Sequence, residues 1–552
     1  MVDSFDDLFL EPSKYYKGGL ETGHEQVINE YVEELVRKSG IDVEGNKQTA
    51  KEIVKAKEDL EKIQKSLNKT SAWSTFLLVV GIILAVAIIG IFILIYRSKK
   101  VKTKEKDLIS KRDKQQKKVN ELINKSREEI APFMALLNDY MSTDLINKSA
   151  PFIKFNHVLS SEFLQRMIEQ FKYEIDLDAR HSSLVIQSGT MRNNPFIIRQ
   201  YLEQRMVPHI YTGSLVITWT ETVHTSDGTS TVTRTQTLVA HYTEDEPVYS
   251  VCSELVYCND ACPKLSFSRS PTELYKMNEK QLAKYIANFE KEDNKKAAHA
   301  VKHGQSYTKM TNSKFEAYWN SKGRNDEVGY RLMFTPLAQT NITHLFSLDK
   351  PYGDDIYYTK KGMVNFVCSK HSQSMDYSGG TYNYSGDTFE EVEYKFKSYN
   401  STFFRGMIFD FMPLISIPIF HQNISAPFLG SDKVLRNVTQ YEAEVMANKM
   451  DAEQFKHPAS DTDIIIEAKV VSKGNGFDNV EIIGRTFEAV PQVALVPTLG
   501  GDGEMHPVPV NYYIYEPLEK VTKARAYKNL DSIPSNHGNI LKYKDLALEI
   551  IE

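Results

Sequence analysis

Thr75 to Ile95 reads T-F-L-L-V-V-G-I-I-L-A-V-A-I-I-G-I-F-I-L-I, 21 residues without a charge. As one helix it would extend about 30 Å at 1.5 Å per residue, the thickness of a bilayer's hydrocarbon core. A helix is also the form in which a lone segment satisfies its own backbone groups in lipid. Trp73 and Tyr96 flank the run where aromatic rings favour the headgroup layer. A buried core helix is the plainer alternative, but charged sequence on both sides argues against it. The run predicts a single transmembrane helix over 75–96, with membrane lipid as its partner.

Charge sets the expected sidedness. Arg97, Lys99, Lys100, Lys102, Lys104, Lys106, Lys111 and Arg112 follow the run closely, while Lys57, Lys62, Lys65 and Lys69 precede it. The excess places a C-terminal body in the cytoplasm of a single-pass cell-membrane protein, and residues 1–74 outside. Within 1–74, Ile28, Tyr31, Val32 and Leu35 recur at helical spacing. Ile53, Leu60 and Leu67 then lie seven apart with Ala56 and Ile63 between them, a short coiled-coil pattern. This predicts a membrane-proximal helical neck that pairs with its own first helix or, as a homodimer, with a second copy. Residues 97–180 read as a charged helical stalk and a helical layer, in which Phe163, Leu164, Met167, Ile168 and Phe171 make one apolar face.

From about residue 181 the period changes. Ser214 to His224 reads S-L-V-I-T-W-T-E-T-V-H and Thr231 to His241 reads T-V-T-R-T-Q-T-L-V-A-H, joined through Asp227-Gly228. Alternating β-branched residues around a tight-turn pair predict a long β-hairpin, which must join a larger sheet or pack on another element to be stable. Residues 181–305 are therefore expected to be β-rich, with a helix over 277–303. Residues 306–552 are expected to be mixed, with strands at 356–358, 363–368, 389–396, 464–471, 480–487 and 508–515 and a helix over 434–450. Phe403 to Phe420 is the second most apolar stretch, but its uncharged part is too short to span and reads as a core segment or surface-dipping loop. The predicted fold class is α+β: one transmembrane helix with neck and stalk, then a large mixed strand and helix body.

Composition narrows the function classes. A formal net charge of -5 argues against a general nucleic-acid binder. No phosphate loop, dinucleotide fingerprint, H-E-x-x-H or G-x-S-x-G is present. Cys252, Cys258, Cys262 and Cys368 with His371 carry the ligand types of a zinc site, although only Cys258/Cys262 and Cys368/His371 have knuckle-like spacing. Separate buried thiols are the plainer reading, and no other cofactor is indicated. Asp463, Glu467 and Lys469 in D-I-I-I-E-A-K-V resemble the acidic pair and lysine of metal-dependent nucleases, but alternation on a strand also explains them. Y-G-D-D at Tyr352 to Asp355 offers two adjacent carboxylates that a strand would send to opposite faces.

The phrases N-N-P-F at Asn193, T-W-T-E at Thr218, L-S-F-S-R at Leu265, M-F-T-P-L-A-Q at Met333 and P-L-I-S-I-P-I-F at Pro413 resemble a family of uncharacterised bacterial membrane proteins, some from cell-wall-less bacteria. The resemblance covers roughly residues 190–420 and implies a membrane location, without an activity or site residues to transfer. The sequence thus leads to a membrane-anchored interaction or scaffold protein with a protein partner of unknown identity. Its rivals are a membrane-tethered enzyme and, with the topology reversed, a surface adhesin.

Overall fold

The computed structural model of the protein describes residues 6–83, 89–225, 228–304, 307, 309–348, 354–422, 437–533 and 540–551. They divide between two compact units: residues 21–149 with 379–404, and residues 1–20 with 150–378 and 405–552.

The first unit is helical. Its helices are α1 (Glu21–Ser39), α2 (Val43–Ile83), α3 (Ile89–Tyr96), α4 (Lys102–Met134) and α5 (Met141–Ser149), with a π-helical turn Arg97–Val101 between α3 and α4. Ile28, Val32 and Leu35 of α1 are buried with Ile130 and Phe133 of α4, Met141 and Leu145 of α5, and Phe389, Val392 and Phe396. Asn46 ties three of these segments together. Its amide donates to Ser126 Oγ at 2.8 Å and Glu129 Oε2 at 2.8 Å, and its Oδ1 accepts the Phe389 backbone N–H at 2.8 Å.

The expected transmembrane helix is corrected here. The Arg97 guanidinium donates to the Ser74 carbonyl at 2.7 Å, and Gln115 Nε2 donates to the Ala56 carbonyl at 3.0 Å. Together with the Asn46 bonds to Ser126, these contacts put later residues of α4 beside earlier residues of α2, as antiparallel helices require. The chain direction reverses between Ile83 and Ile89, and residues 84–88 of the apolar run lie outside the described residues. The described arms of the run, 75–83 and 89–95, are each under half of the length a bilayer demands. Among the described residues no helix is long and apolar enough to cross a membrane. The chain supplies its own antiparallel partner helix, which buries the stripe preceding the run and Leu77 within it, while Phe76, Val79 and Ile95 stay exposed. The stripe Ile53, Ala56 and Leu67 on α2 is buried, as are Val101 and Val119 on the returning strand of the helical hairpin.

The second unit is built on two antiparallel sheets. The larger contains β1 (Ile153–Asn156), β2 (His181–Met191), β3 (Asn194–Thr225), β4 (Gly228–Cys258), β5 (Ser266–Arg269), β6 (Ile356–Lys361) and β7 (Val364–Ser369), in the order β1-β2-β3-β4-β7-β6-β5. The smaller contains β8 (Ile465–Lys473), β9 (Phe477–Leu499), β10 (Met505–Tyr527), β11 (Ile540–Tyr543) and β12 (Leu546–Ile551), in the order β11-β12-β10-β9-β8. The helices of this part include α6 (Ser161–Phe171), α7 (Glu279–Lys302), α8 (Ser313–Trp319), α9 (Glu327–Met333), α10 (Pro336–Phe346) and α12 (Gln440–Asn448), and α11 (Phe389–Ile415) contributes 405–415 to it. α12 begins on a Thr439 and Glu442 capping box and lies in the main core with α6, Ile186 and Ile197 of the larger sheet, and Ile466, Val480 and Ile482 of the smaller.

Mixed helix and strand therefore stands as the fold class, without the span. Residues 389–396 differ from expectation. They open α11, because buried Phe389, Val392 and Phe396 repeat at three and four residues rather than two. The apolar stretch that follows is core: Met407, Ile408, Phe411, Met412 and Leu414 are wholly buried.

Two hairpins outgrow their sheets. β2 pairs with β3 only as far as Glu203, so from Arg205 to Thr225 β3 pairs with β4 alone, a ribbon of about 70 Å at ~3.3 Å per residue. β9 and β10 likewise continue as a pair from Thr486 and Leu518 to Leu499 and Met505. The two ribbons stack, with Ile217, Leu238 and Ala240 of the first against Val508 and Val510 of the second. Gly213 marks the closest approach, where a Cβ would lie 2.1 Å from the Pro509 carbonyl oxygen. Two backbones cannot yield to a side chain there. Gly213→Val is expected to part the ribbons at a cost on the order of 2 kcal/mol, read as a lower unfolding midpoint and faster proteolysis within 486–518.

Candidate functional site

The β3–β4 ribbon is the most conspicuous surface of the second unit. Strict alternation governs it. Tyr211, Gly213, Leu215, Ile217 and Trp219 face the β9–β10 ribbon, and the alternate residues between them face water. The β9–β10 turn reaches the level of Trp219, where the Gly501 N–H donates to Gln236 Oε1 at 2.7 Å. Farther out the first ribbon continues alone, with Glu221 and Arg234 paired across the strands and Thr218 Oγ1 3.4 Å from Thr235 Oγ1. A polar cleft of about 650 Å³ sits where the ribbons leave the sheets, lined by Glu246, Tyr249, Asp461, Tyr515 and Lys520 among others.

Near the root of β3 lies a cluster of charged groups that the sequence did not reveal. His181 Nδ1 is 2.6 Å from Asp176 Oδ2, and its Nε2 is 3.5 Å from Glu203 Oε1. Buried Arg199 reaches the same Asp176 oxygen at 2.6 Å and also hydrogen-bonds Ser183 Oγ at 3.0 Å. Burial pushes the His181 pKa down, but the hydrogen bond and charge of Asp176 outweigh it and the net shift is upward. A raised histidine contributes stability that is complete below its unfolded pKa, near 6.5, and is lost as pH rises through the folded value. His371 carries a shift of the same sign. The unfolding midpoint is therefore expected to fall as pH rises past about 6.5, and less steeply in His181→Asn, as a midpoint series over pH would show.

The proposed zinc ligands do not form one cluster. Cys252 Sγ donates to Glu203 Oε2 at 3.3 Å, and its pKa is pushed up to about 11 by burial and by that carboxylate. Cys368 is raised by burial and by Glu254. Cys262 Sγ donates to the Gly329 carbonyl at 3.3 Å, while Cys258 is buried near Lys360. All four thiols are free, and burial raises the pKa of each. Among the described residues no group of three or more His, Cys, Asp or Glu is placed to hold a metal ion.

His371 belongs to a different arrangement. Its Nδ1 is 2.8 Å from Asp355 Oδ2, and its Nε2 is 3.4 Å from both Ser369 Oγ and Asp410 Oδ1. The order carboxylate, imidazole, serine has the outline of a hydrolytic triad. The hydroxyl is otherwise engaged: Ser369 donates to Asp410 at 2.5 Å, and Ser372 and Tyr377 also donate to Asp410, at 2.7 and 3.1 Å. Ser369, Ser372 and Asp410 are almost completely buried, and the network fastens β7 to the end of α11. Asp410 is the lone carboxylate inside F-F-R-G-M-I-F-D-F-M, which is the sequence signal that could have found it.

The remaining candidates have structural partners. Glu467 is paired with Arg485 on β9 and lies 3.3 Å from Lys469. Asp463 lines the cleft at the root of the ribbons. Of Y-G-D-D, Tyr352 and Gly353 lie outside the described residues, and the two aspartates diverge as expected. Asp354 meets Arg269, and Asp355 meets His371. Comparison of the chain with family models, curated proteins and solved structures gave no match, so the site is read from its own geometry.

Proposed function

We propose that the chain is an interaction protein whose working part is the β3–β4 arm, with another polypeptide as its partner. The observation that carries this reading is the ribbon's length beyond its last neighbouring strand in the sheet. A ribbon of this length provides two backbone edges and one open face, features through which proteins bind other chains. The polar clusters beside it are tied up in ion pairs and hydrogen bonds among themselves, which suits a rigid root for the arm.

The reading is tested by placing a photo-crosslinking residue in the full-length protein in cells. One variant carries it at Thr220 on the arm and others at Val301 and Val328 on the body, which are 80% and 70% exposed. Discrete protein adducts are expected from Thr220 and not from the body positions. Adducts equally frequent at all three, or absent from Thr220 alone, would remove the arm from the function.

A further inference from the structure

The face of the arm turned away from β9–β10 has an unusual composition. Between the rungs Ile210/Thr243 and His224/Thr229 it comprises the even-numbered residues of 210–224 and the odd-numbered residues of 229–243, and every one of them is exposed. Thr, Ser, Val and Ile occupy all but two positions, which are His224 and His241; the face has no Asp, Glu, Lys, Arg, Phe, Tyr or Trp. A quarter of the chain is charged, so an uncharged face of this extent stands out, and depletion of charge is what marks the centre of protein interfaces. Val216 and Val239, 62% and 51% exposed, are diagonal neighbours near its middle.

The chemistry of this face narrows its occupant. Without lysine or arginine it has no fixed cation to grip a phosphate backbone, and its only rings, the imidazoles of His224 and His241, lie toward opposite ends and make no stacking platform along it. An acidic or basic peptide would lose hydration there without gaining a counter-charge. A second copy of the same face suffers neither penalty. Two uncharged pleats of β-branched side chains related by a two-fold axis can interdigitate, as such side chains do in dry sheet-to-sheet contacts. The sixteen exposed side chains offer on the order of 800 Å², about what each partner contributes to an interface of standard size. The pleat is also uninterrupted: between His209 and Glu246 neither strand contains a proline, whereas the β9–β10 ribbon contains Pro491, Pro497, Pro507, Pro509 and Pro517.

We propose that two copies of this chain dock through the outer faces of their β3–β4 arms. This rests on the reading of the arm as the working part and names its partner. Sedimentation equilibrium of the purified full-length chain over about 1–100 µM is expected to show the mass rising toward twice that of the chain. Thr220→Lys/Thr233→Lys puts two like charges on one rung of the face and is expected to weaken association at least tenfold. Thr218→Lys/Thr235→Lys, one rung inward, should do the same, and Val328→Lys on the body should leave association as it was. All five positions are exposed, so the unfolding midpoint checks that each variant remains folded.

A chain that stays monomeric at the highest concentration overturns the proposal. So does a dimer as tight in both arm variants as in the unmodified chain. If the purified chain is monomeric while Thr220 crosslinks to a different polypeptide in cells, self-docking fails and the arm keeps its role. If Thr220 forms no adduct at all, both readings fall.

Discussion

Arg269→Met is expected to cost about 3–5 kcal/mol, because it leaves a carboxylate buried without its counter-charge. Arg269 and Asp354 are both completely enclosed and meet in a two-pronged pair at 2.7 and 2.8 Å. The guanidinium also donates to the carbonyls of Tyr318, Trp319 and Ile356, and it lies against the rings of Phe346 and Trp319. Asp354 in turn accepts from the Thr272 N–H and hydroxyl. One residue thus fixes β5, β6, α8 and α10 together. Adding Asp354→Leu to Arg269→Met is expected to recover the share that belongs to the orphaned carboxylate. The three carbonyls remain without their donor, so a residual loss on the order of 1–3 kcal/mol persists. Urea unfolding of the two variants measures both values, and a single-variant loss below about 1 kcal/mol would contradict the assignment.

Lys360→Met is expected to act in the opposite direction and stabilise the protein. Lys360 is fully buried on β6, its ammonium donates to the Ala261 carbonyl at 3.1 Å, and burial holds its pKa down at about 8. The unfolded chain keeps an ordinary lysine near 10.4, so between about 8 and 10.4 the unfolded state binds more protons and stability rises with pH. Below pH 8 the whole penalty for the buried charge is present. Methionine removes the penalty and loses one hydrogen bond, for a net gain on the order of 2 kcal/mol at pH 7 that fades as pH rises from about 8 and is gone by about pH 10.4. Unfolding midpoints of the two proteins at pH 7 and pH 10.5 check both the sign and its disappearance.

The sequence read some of these elements well because their local chemistry and their tertiary setting agree. Ser214–His241 alternates β-branched residues around a turn and is a hairpin; the helix that Thr439 and Glu442 open, Gln440–Asn448, lies within the expected 434–450 and is shorter. The strands run far longer than predicted and continue straight through prolines. Pro208, Pro247, Pro491, Pro507 and Pro517 all lie inside strands. In a two-stranded ribbon both strands are edges, so a residue without an N–H forfeits no ladder bond where that position faces outward. The charged clusters were illegible for a different reason. Asp176, His181 and Glu203 are close in sequence but meet only because β2 folds back on β3, and Arg269 finds Asp354 from 85 residues away.

The apolar run misled most, because its composition satisfies a span and its pairing does not. A periodic stripe on 43–83 and a run of uncharged residues look the same whether the partner is lipid or the chain's own return helix. Only the contacts decide, and Arg97 on Ser74 decides for the return. That reversal replaces the single continuous transmembrane helix with a helical hairpin of α2 and α4. The most direct measurement is a pulsed electron spin resonance distance between labels at Ala72 and Ser98, both exposed, attached through an introduced ketone side chain so that the four cysteines are untouched. Backbones roughly 10 Å apart, as in packed antiparallel helices, are expected, giving a short and narrow distance distribution. A distance near 39 Å, that of one continuous helix at about 1.5 Å per residue, would contradict the account.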